Sequence, residues 1–264
     1  MLVAILVKRR LARTAKIIAP QWYWRRHYRI LQRLGERNPD ALLIRSLCDP
    51  DRISLDIGAD VGELTIAMLA SSRSVIAFEP RPAQAHELAA MFQAVGAAVR
   101  VEALALSDRS GICAMRMLDS DPGRSTIDEH NSLNDADGSP TRTINVPVKP
   151  LDEAQLDNVG LIKIDVEGHE LAVLRGAVDT LSRNRPTLLV EAEERHHPRA
   201  VAEVTEFLAT LGYAGYFMID GRRQPIETFN PAEHQNSANI ASWKDGWAVH
   251  GVYINNFVFL PHRG

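Results

Sequence analysis

Little in the chain favours an oxidising compartment or a membrane span. Its 264 residues include two cysteines, Cys48 and Cys113, without a spaced set of metal ligands around them. They indicate neither a disulfide scaffold nor a zinc site, and they fit a reducing cytoplasm. The apolar start at residues 1–7 is too short to cross a bilayer. Basic residues follow this stretch, whereas in a secretory signal they precede it. We therefore expect a cytoplasmic protein.

Two phosphate-binding signatures are also missing. The chain has no Gly-Lys-Ser/Thr loop, and the dinucleotide fingerprint Gly-x-Gly-x-x-Gly is broken because Asp60 stands where its second glycine belongs. A carboxylate at that point would oppose a pyrophosphate. An oxidoreductase or epimerase that binds a nicotinamide dinucleotide is therefore disfavoured, although it stays open as an alternative.

What is present is the pattern of a strand, a glycine turn and a helix. A short apolar run ends in Asp56, the turn lies between Gly58 and Gly62, and helix formers follow to residue 70. Glycine lets the backbone bend sharply and lets a ligand approach closely. A second apolar run ends in Glu79, an acid placed to accept hydrogen bonds from ribose hydroxyls.

The order of apolar runs and helical stretches predicts the fold. Residues 49–264 are expected to form a Rossmann-like α/β domain with a doubly wound, mostly parallel sheet, and the tail adds antiparallel strands. One core strand is expected over residues 99–104 and one helix over residues 170–182. Residues 119–142 are rich in Asp, Ser, Gly, Asn and Pro. They predict a long loop, either a lid or binding segment or a disordered stretch without function.

Acidic residues fall at the ends of the predicted strands. They are Asp56, Asp60, Glu79, Asp108, Asp165, Glu167 and Glu191. Ligands of open α/β sheets bind outside the carboxyl ends of the strands, so these acids predict one acidic cleft. Asp56 and Asp60 suit a ligand that carries a cation next to a ribose, which is the make-up of S-adenosylmethionine.

Five segments carry a family resemblance. They are Leu-Asp-Ile-Gly-Ala-Asp-Val-Gly at 55–62, Ala-Phe-Glu-Pro at 77–80, Ala-Leu-Ser-Asp at 105–108, Leu-Ile-Lys-Ile-Asp-Val-Glu-Gly-His-Glu at 161–170 and Leu-Leu-Val-Glu at 188–191. Over roughly residues 40–215 the chain resembles the FkbM-type methyltransferases that depend on S-adenosylmethionine. That family usually has Asn where this chain has Asp60; both side chains accept a hydrogen bond, so cofactor binding should survive.

The resemblance and the cleft together assign expected cofactor contacts. Gly58 and Gly62 would carry the methionine portion, with Asp56 or Asp60 reaching its ammonium directly or through water. Glu79 would hold the ribose hydroxyls. The candidates for the adenine edge are Ser107 and Asp108, of which Asp108 could equally start a turn.

The acceptor side is expected at the end of the fourth core strand. Asp165, Glu167 and His169 are its candidate catalytic residues. His169 lies near a helix start, which disfavours the imidazolium and leaves a neutral base, although the residue could also merely cap the helix. Asp165, Glu167 and Glu191 could alternatively bind a divalent cation that acidifies the acceptor hydroxyl, but no metal-ligand spacing supports this.

Missing motifs narrow the classes of methyl acceptor. The chain lacks the Asn/Asp-Pro-Pro-Tyr/Phe signature of amino-methylating nucleic-acid enzymes, and neither cysteine lies in a Pro-Cys setting. The resemblance implies O-methylation of a sugar, glycan or secondary-metabolite hydroxyl. A non-catalytic adenosyl-binding scaffold protein is the remaining alternative.

The net charge of −3 hides a basic arm. Residues 1–39 hold ten Lys or Arg against one acid, about +9, which leaves about −12 for the rest. We expect residues 1–48 to form a basic, Trp-rich helical arm. It could lie on an anionic membrane at the inner face, pack on the acidic body or a partner subunit, or bind nucleic acid, which is the least expected of the three.

Overall fold

The computed structural model describes residues 14–119, 121, 123–131, 133, 140–239 and 251–262. The helices are α1 (Pro20–Gly35), α2 (Pro39–Leu47), α3 (Glu63–Leu69), α4 (Pro82–Val95), α5 (Glu170–Arg175), α6 (Val178–Asn184), α7 (Ala200–Thr210) and α8 (Pro231–His234). The strands are β1 (Ile53–Ile57), β2 (Ser74–Phe78), β3 (Val99–Glu102), β4 (Ala105–Leu106), β5 (Gly111–Leu118), β6 (Ser125–Thr126), β7 (Thr141–Lys149), β8 (Val159–Ile164), β9 (Thr187–Glu191), β10 (Tyr213–Ile219), β11 (Arg222–Pro225) and β12 (Asn256–Pro261).

Eight strands form one sheet in the order β11-β10-β12-β9-β8-β1-β2-β3. The neighbours from β3 to β9 pair in parallel, whereas β12 is antiparallel to β9 and to β10. Strand β8 is buried along its whole length, as the near-continuous apolar run of a central parallel strand requires. The carboxyl ends of the five parallel strands therefore meet at one edge. The predicted Rossmann-like, mostly parallel α/β fold is confirmed.

A second, four-stranded sheet was not predicted. Its order is β4-β7-β5-β6, and its residues Met115, Met117, Val146 and Val148 form a small core of their own. The strand predicted over residues 99–104 is therefore too long. The structure ends β3 at Glu102, and the next two residues that pair belong to β4, which joins β7.

The helix predicted over residues 170–182 is also divided. It forms α5 and α6, with a break at Gly176. A Cβ at Gly176 would lie 2.0 Å from the carbonyl oxygen of Ser107. The chain after β4 thus passes directly against this glycine, and the helix ends there.

The described part of the basic arm packs on the body of the protein. Trp24 and Leu31 of α1 are buried in a cluster with Ile66 of α3 and Phe92 of α4. Arg25 adds a hydrogen bond of 2.8 Å from its Nε to the carbonyl oxygen of Ala94. One face of α1 is therefore an internal surface. Residues 1–13 of the predicted arm lie outside the described residues.

None of the described helices is both long and apolar enough to cross a bilayer.

Candidate active site

The turn after β1 tolerates only glycine at two points. Gly58 has φ +82°, and a Cβ there would lie 1.8 Å from the carbonyl oxygen of Asp165. Gly62 has φ +87°, and a Cβ there would lie 2.7 Å from the side chain of Leu88. The first contact brings the turn close to the end of β8, and the second seats α3 against α4. The predicted strand, glycine turn and helix are thus present in the structure.

A cavity of about 250 Å³ lies at the carboxyl edge of the sheet, beside this turn. Its polar wall comes from the ends of β1, β2 and β8, and its apolar wall comes from the end of β2 and from the chain around β4, β5 and β6. The apolar wall is formed by Phe78, Pro80, Leu104, Leu106, Met115 and Ile127. The cavity therefore has one end that suits a flat apolar ring and another that suits polar groups.

Arg81 holds the two acids at the polar wall between β1 and β2. Glu79 accepts hydrogen bonds from the backbone N and Nε of Arg81 at 2.9 and 2.8 Å, from its Nη2 at 3.1 Å, and from the backbone N of Asp60 at 3.0 Å. The same Nη2 donates to Asp60 Oδ1 at 2.5 Å. Glu79 is 2% exposed, so its charge is compensated almost entirely by protein groups.

Lys163 forms the second cluster, below the turn. This buried lysine of β8 donates to the carbonyl oxygen of Gly58 at 2.9 Å and to Asp165 Oδ2 at 3.0 Å, and its Nζ lies 3.6 Å from Asp56 Oδ1. Asp56 also accepts a hydrogen bond of 2.5 Å from Thr65. The two carboxylates and the lysine are packed together, and Asp165 and Asp56 together hold the pKa of Lys163 above its usual value although burial opposes this.

Sequence reasoning gave Lys163 no role. The available signal was a single charge in an otherwise apolar strand, two residues before Asp165 and hence on the same face of β8. Such a lysine needs a buried anion for a partner, and Asp56 lies opposite it in the register of β1 and β8.

Buried acids and His196 surround the loop after β8. Glu170 accepts backbone hydrogen bonds from Val166 and Gly168 at 3.3 and 2.9 Å. Burial raises the pKa of Glu170 to about 7, although these backbone bonds act in the opposite direction. Glu167 Oε2 lies 3.0 Å from Nε2 of the buried His196. Burial lowers the pKa of His196, but the neighbouring carboxylates raise it above its usual value overall.

His169 is part of a chain of three polar side chains. Its Nε2 lies 2.9 Å from Ser107 Oγ, and its Nδ1 lies 3.5 Å from Asp128 Oδ2. Burial works to raise the pKa of Asp128, but His169 and two backbone N–H groups lower it to about 2. Asp128 comes from the predicted loop at 119–142, and no signal in the sequence connects it to His169.

The described part of that loop is docked on the end of β8. Thr126 Oγ1 and Asn131 Nδ2 each donate to the carbonyl oxygen of Glu167 at 2.8 Å. Arg116 of β5 donates to the carbonyl oxygen of Asn131 at 2.6 Å. The loop residues that line the cavity are Asp121, Gly123, Arg124, Ser125 and Ile127. This lining agrees with a binding segment.

The predicted site residues fall into two groups. Those that line the cavity are Gly58, Asp60, Glu79, Asp165, Glu167 and His169. Those behind or beside it are Asp56, Gly62, Ser107 and Asp108. Asp56 is fully buried under the turn, and Asp108 accepts a hydrogen bond of 3.3 Å from its neighbour Ser107 at the surface.

The alternative of a divalent cation has no arrangement of ligands to support it. Among the described residues, no three His, Cys, Asp or Glu side chains are grouped as a metal ion would require.

Comparison with known proteins identifies the family. A family model described as the methyltransferase FkbM domain matches residues 56–218, which is more than half of the chain. The chain belongs to the FkbM methyltransferase family. The prediction of this family is confirmed. A search of curated proteins finds no match.

Solved structures share the fold at low identity. The FkbM methyltransferase from Methylobacillus flagellatus is 16% identical with a TM-score of 0.50, and the match covers 80% of this chain and 44% of that one. This chain thus spans less than half the length of that FkbM protein. An S-adenosylmethionine-dependent O-methyltransferase from Thermotoga maritima is 11% identical (TM-score 0.41, 85% and 66% covered). A putative methyltransferase from Streptococcus mutans, solved with S-adenosylhomocysteine, is 9% identical (TM-score 0.43, 84% and 94% covered).

Proposed function

We propose that this FkbM-family protein transfers the methyl group of S-adenosylmethionine to a hydroxyl of a sugar, glycan or secondary metabolite. The observation that carries the proposal is that Gly58, Glu79 and Asp165 border one cavity at the carboxyl edge of the sheet. A turn with a glycine at the cavity, a ribose-binding acid and a carboxylate beyond them are what this cofactor and this reaction need.

The residues fit the cofactor along its length. The apolar wall with Leu104, Met115 and Ile127 suits the adenine ring, and Glu79 suits the ribose hydroxyls. The methionine end would then lie at Gly58, which lines the cavity and, having no Cβ, lets the turn contact the backbone of Asp165. Asp60 remains the candidate for the ammonium, since its carboxylate is about half exposed beside the turn.

The reaction needs a group that takes the hydroxyl proton. When bound, the cofactor supplies a methyl group on a positively charged sulfur. The acceptor oxygen gains the carbon as the sulfur–carbon bond breaks, and the hydroxyl proton must pass to a base. We assign this base to Asp165, because its backbone touches the Gly58 turn and Lys163 holds its carboxylate at 3.0 Å.

His169 fits a different role in this arrangement. Its Nε2 bonds to Ser107, which follows β4 beside the apolar wall. The predicted adenine contact Ser107, which lies behind the cavity wall, is therefore bonded to His169, which lines the cavity. The bond favours a place for His169 beside the adenine ring. Glu167 is paired with His196 and fits the rim better than the proton transfer.

A second cavity supports the acceptor side. It has a volume of about 400 Å³ and lies between α2, the end of β10 and the start of β12, with Asp40, Tyr253, Asn255 and Asn256 in its wall. Asn255 donates to Glu191 at 2.7 Å. Burial raises the pKa values of Asp40 and Glu191, and the charge of nearby Asp165 raises both further. Amides and carboxylates around Asp165 suit a neutral, hydroxyl-rich acceptor.

The proposal is tested by calorimetric titration with S-adenosylhomocysteine and, in parallel, with reduced nicotinamide dinucleotide. We expect saturable binding of the first and none of the second. The reverse result would favour an oxidoreductase or epimerase. Binding followed by no transfer to any glycan or metabolite hydroxyl, in the native protein and in Asp165→Asn alike, would favour the scaffold alternative.

A further inference from the structure

The outward face of α1 carries a stripe that the packing of the arm does not use. Trp22, Arg26, Arg29 and Arg33 recur at intervals of four, three and four residues, so they share one side of the helix. The inward side of the same helix is marked by the buried Trp24 and Leu31. All four residues of the stripe are exposed, and the Trp22 side chain is 60% exposed.

Large apolar side chains border this stripe. Ile18, Ile30 and Leu34 are 77%, 40% and 56% exposed. On a soluble surface such side chains are usually scattered singly, and a group of them on one short segment marks an interaction site. The apolar and cationic groups occur together, so the surface can offer both to the same partner.

The segment that contains α1 has a net positive charge. Residues 14–39 carry Lys16, Arg25, Arg26, Arg29, Arg33 and Arg37 against the single acid Glu36. The partner should therefore be anionic. It should also accept tryptophan and isoleucine side chains, which a phosphodiester backbone in water does not do well. The interface of an anionic bilayer meets both conditions, because tryptophan lies at the headgroup level and arginine pairs with the headgroups.

We propose that the outward face of α1, defined by Trp22, Arg26, Arg29, Ile30 and Arg33, binds the surface of membranes that contain anionic lipids, together with Ile18 just before the helix. The helix lies along the surface while its other face stays packed on α3 and α4. The inference goes beyond the proposed methyl transfer and does not depend on it.

The test is co-sedimentation of the full chain with vesicles of phosphatidylcholine, with and without phosphatidylserine. We expect binding that needs the anionic lipid and falls as salt is added. The triple variant Arg26→Gln, Arg29→Gln, Arg33→Gln should bind about a hundredfold more weakly, at roughly 1 kcal/mol for each arginine. Trp22→Ala should lower binding about tenfold, and Trp22 fluorescence should shift to the blue on binding.

The matched control is the triple variant Arg109→Gln, Arg142→Gln, Arg175→Gln, which removes the same charge from exposed positions elsewhere. It should bind vesicles almost like the native protein. An equal loss in both triple variants would overturn the proposal, and so would equal binding to neutral and anionic vesicles or binding to neither. Tighter binding to a DNA duplex than to vesicles, or a dimer lost in Trp22→Ala without vesicle binding, would overturn it in favour of nucleic acid or a second copy.

Discussion

The carboxylates at the two ends of the sheet's carboxyl edge have different partners. Between β1 and β2, Glu79 and Asp60 share the cation Arg81, and backbone N–H groups complete the shell of Glu79. Beyond β8, Asp165 has Lys163, but Glu191 has only an asparagine as hydrogen-bond partner in the described structure, and burial together with three other acids raises its pKa well above the usual range.

The difference separates two tasks. A carboxylate that is paired with a cation and with backbone N–H groups stays ionised and fixed, which suits the recognition of ribose hydroxyls. Glu191, which is crowded by other acids and has no paired cation among the described residues, holds its proton more tightly, and this suits the recognition of a neutral acceptor beside the base Asp165. The sequence presents all of these residues alike, as acids at strand ends.

Removing Lys163 should have the largest effect on the stability of the protein. Lys163→Met would leave Asp56 and Asp165 without their buried cation, and we expect a loss of about 3–5 kcal/mol in the free energy of unfolding. Urea denaturation measures it. Lys149→Met, at an exposed lysine, is the matched control and should change little. Adding Asp56→Asn to Lys163→Met should recover part of the loss; a loss below about 1 kcal/mol in the single variant would show that the buried cluster is not held by this lysine.

Near the loop after β8, where the acids are crowded, the stability of the protein should depend on pH through Glu170. Its folded-state pKa is about 7 against an ordinary value of 4.5, because of burial. Between these values the unfolded chain has lost the proton and the folded chain keeps it. Stability should therefore fall as the pH rises from 4.5 to 7, by about 3 kcal/mol at most.

The variant Glu170→Gln should lose this slope, since the amide keeps an acceptor oxygen and does not titrate. Glu227→Gln, at an exposed glutamate, is the control and should keep it. Thermal unfolding at several pH values is the measurement. Identical slopes in the native protein and in Glu170→Gln would contradict the assignment.

Between β1 and β2, where Arg81 pairs with the acids, Glu79→Ala should weaken binding of S-adenosylhomocysteine by about 1.5–3 kcal/mol, the value of hydrogen bonds to a charged group. Calorimetry measures the affinity, and a melting curve checks that the unpaired Arg81 has not unfolded the domain. Glu87→Ala, on the surface of α4, should leave the affinity unchanged. If Glu79→Ala binds like the native protein, the ribose is not held there.

The smallest effect concerns His169. If His169 lies beside the adenine ring, His169→Ala should weaken binding of S-adenosylhomocysteine by about 0.5–1.5 kcal/mol. His262→Ala, at an exposed histidine, serves as control. Unchanged affinity combined with lost methyl transfer would instead return His169 to the role of base.

The features that could be predicted from the sequence are those that depend on local patterns of residues. The glycine turn, Glu79 and the acids at strand ends follow from short apolar runs and fixed spacings, and the parallel sheet follows from the order of those runs. The partner of each acid could not be predicted in the same way. Arg81 is close in sequence to Glu79 but carries no signal of its own, and Asp128 reaches His169 from a loop whose composition alone suggests only irregular structure.

The division of the predicted helix at Gly176 has a similar cause. A single glycine in a helical stretch is usually tolerated, but here the carbonyl of Ser107, about seventy residues earlier in the chain, lies against it, and Asp152 accepts hydrogen bonds from the first turn of α6. The second sheet likewise depends on the long-range pairing of β5 with β7. The apolar pattern of a single segment does not specify which strand it pairs with or in which register.

The measurement that tests the central claim most directly is a crystal structure of the protein with S-adenosylhomocysteine. The account predicts the ribose hydroxyls within hydrogen-bond distance of Glu79, the adenine against Leu104 and Met115, and the sulfur beside Asp165, turned toward the cavity that Asp40 lines. Density for the ligand with its sulfur beside His169 and its ribose away from Glu79 would contradict it.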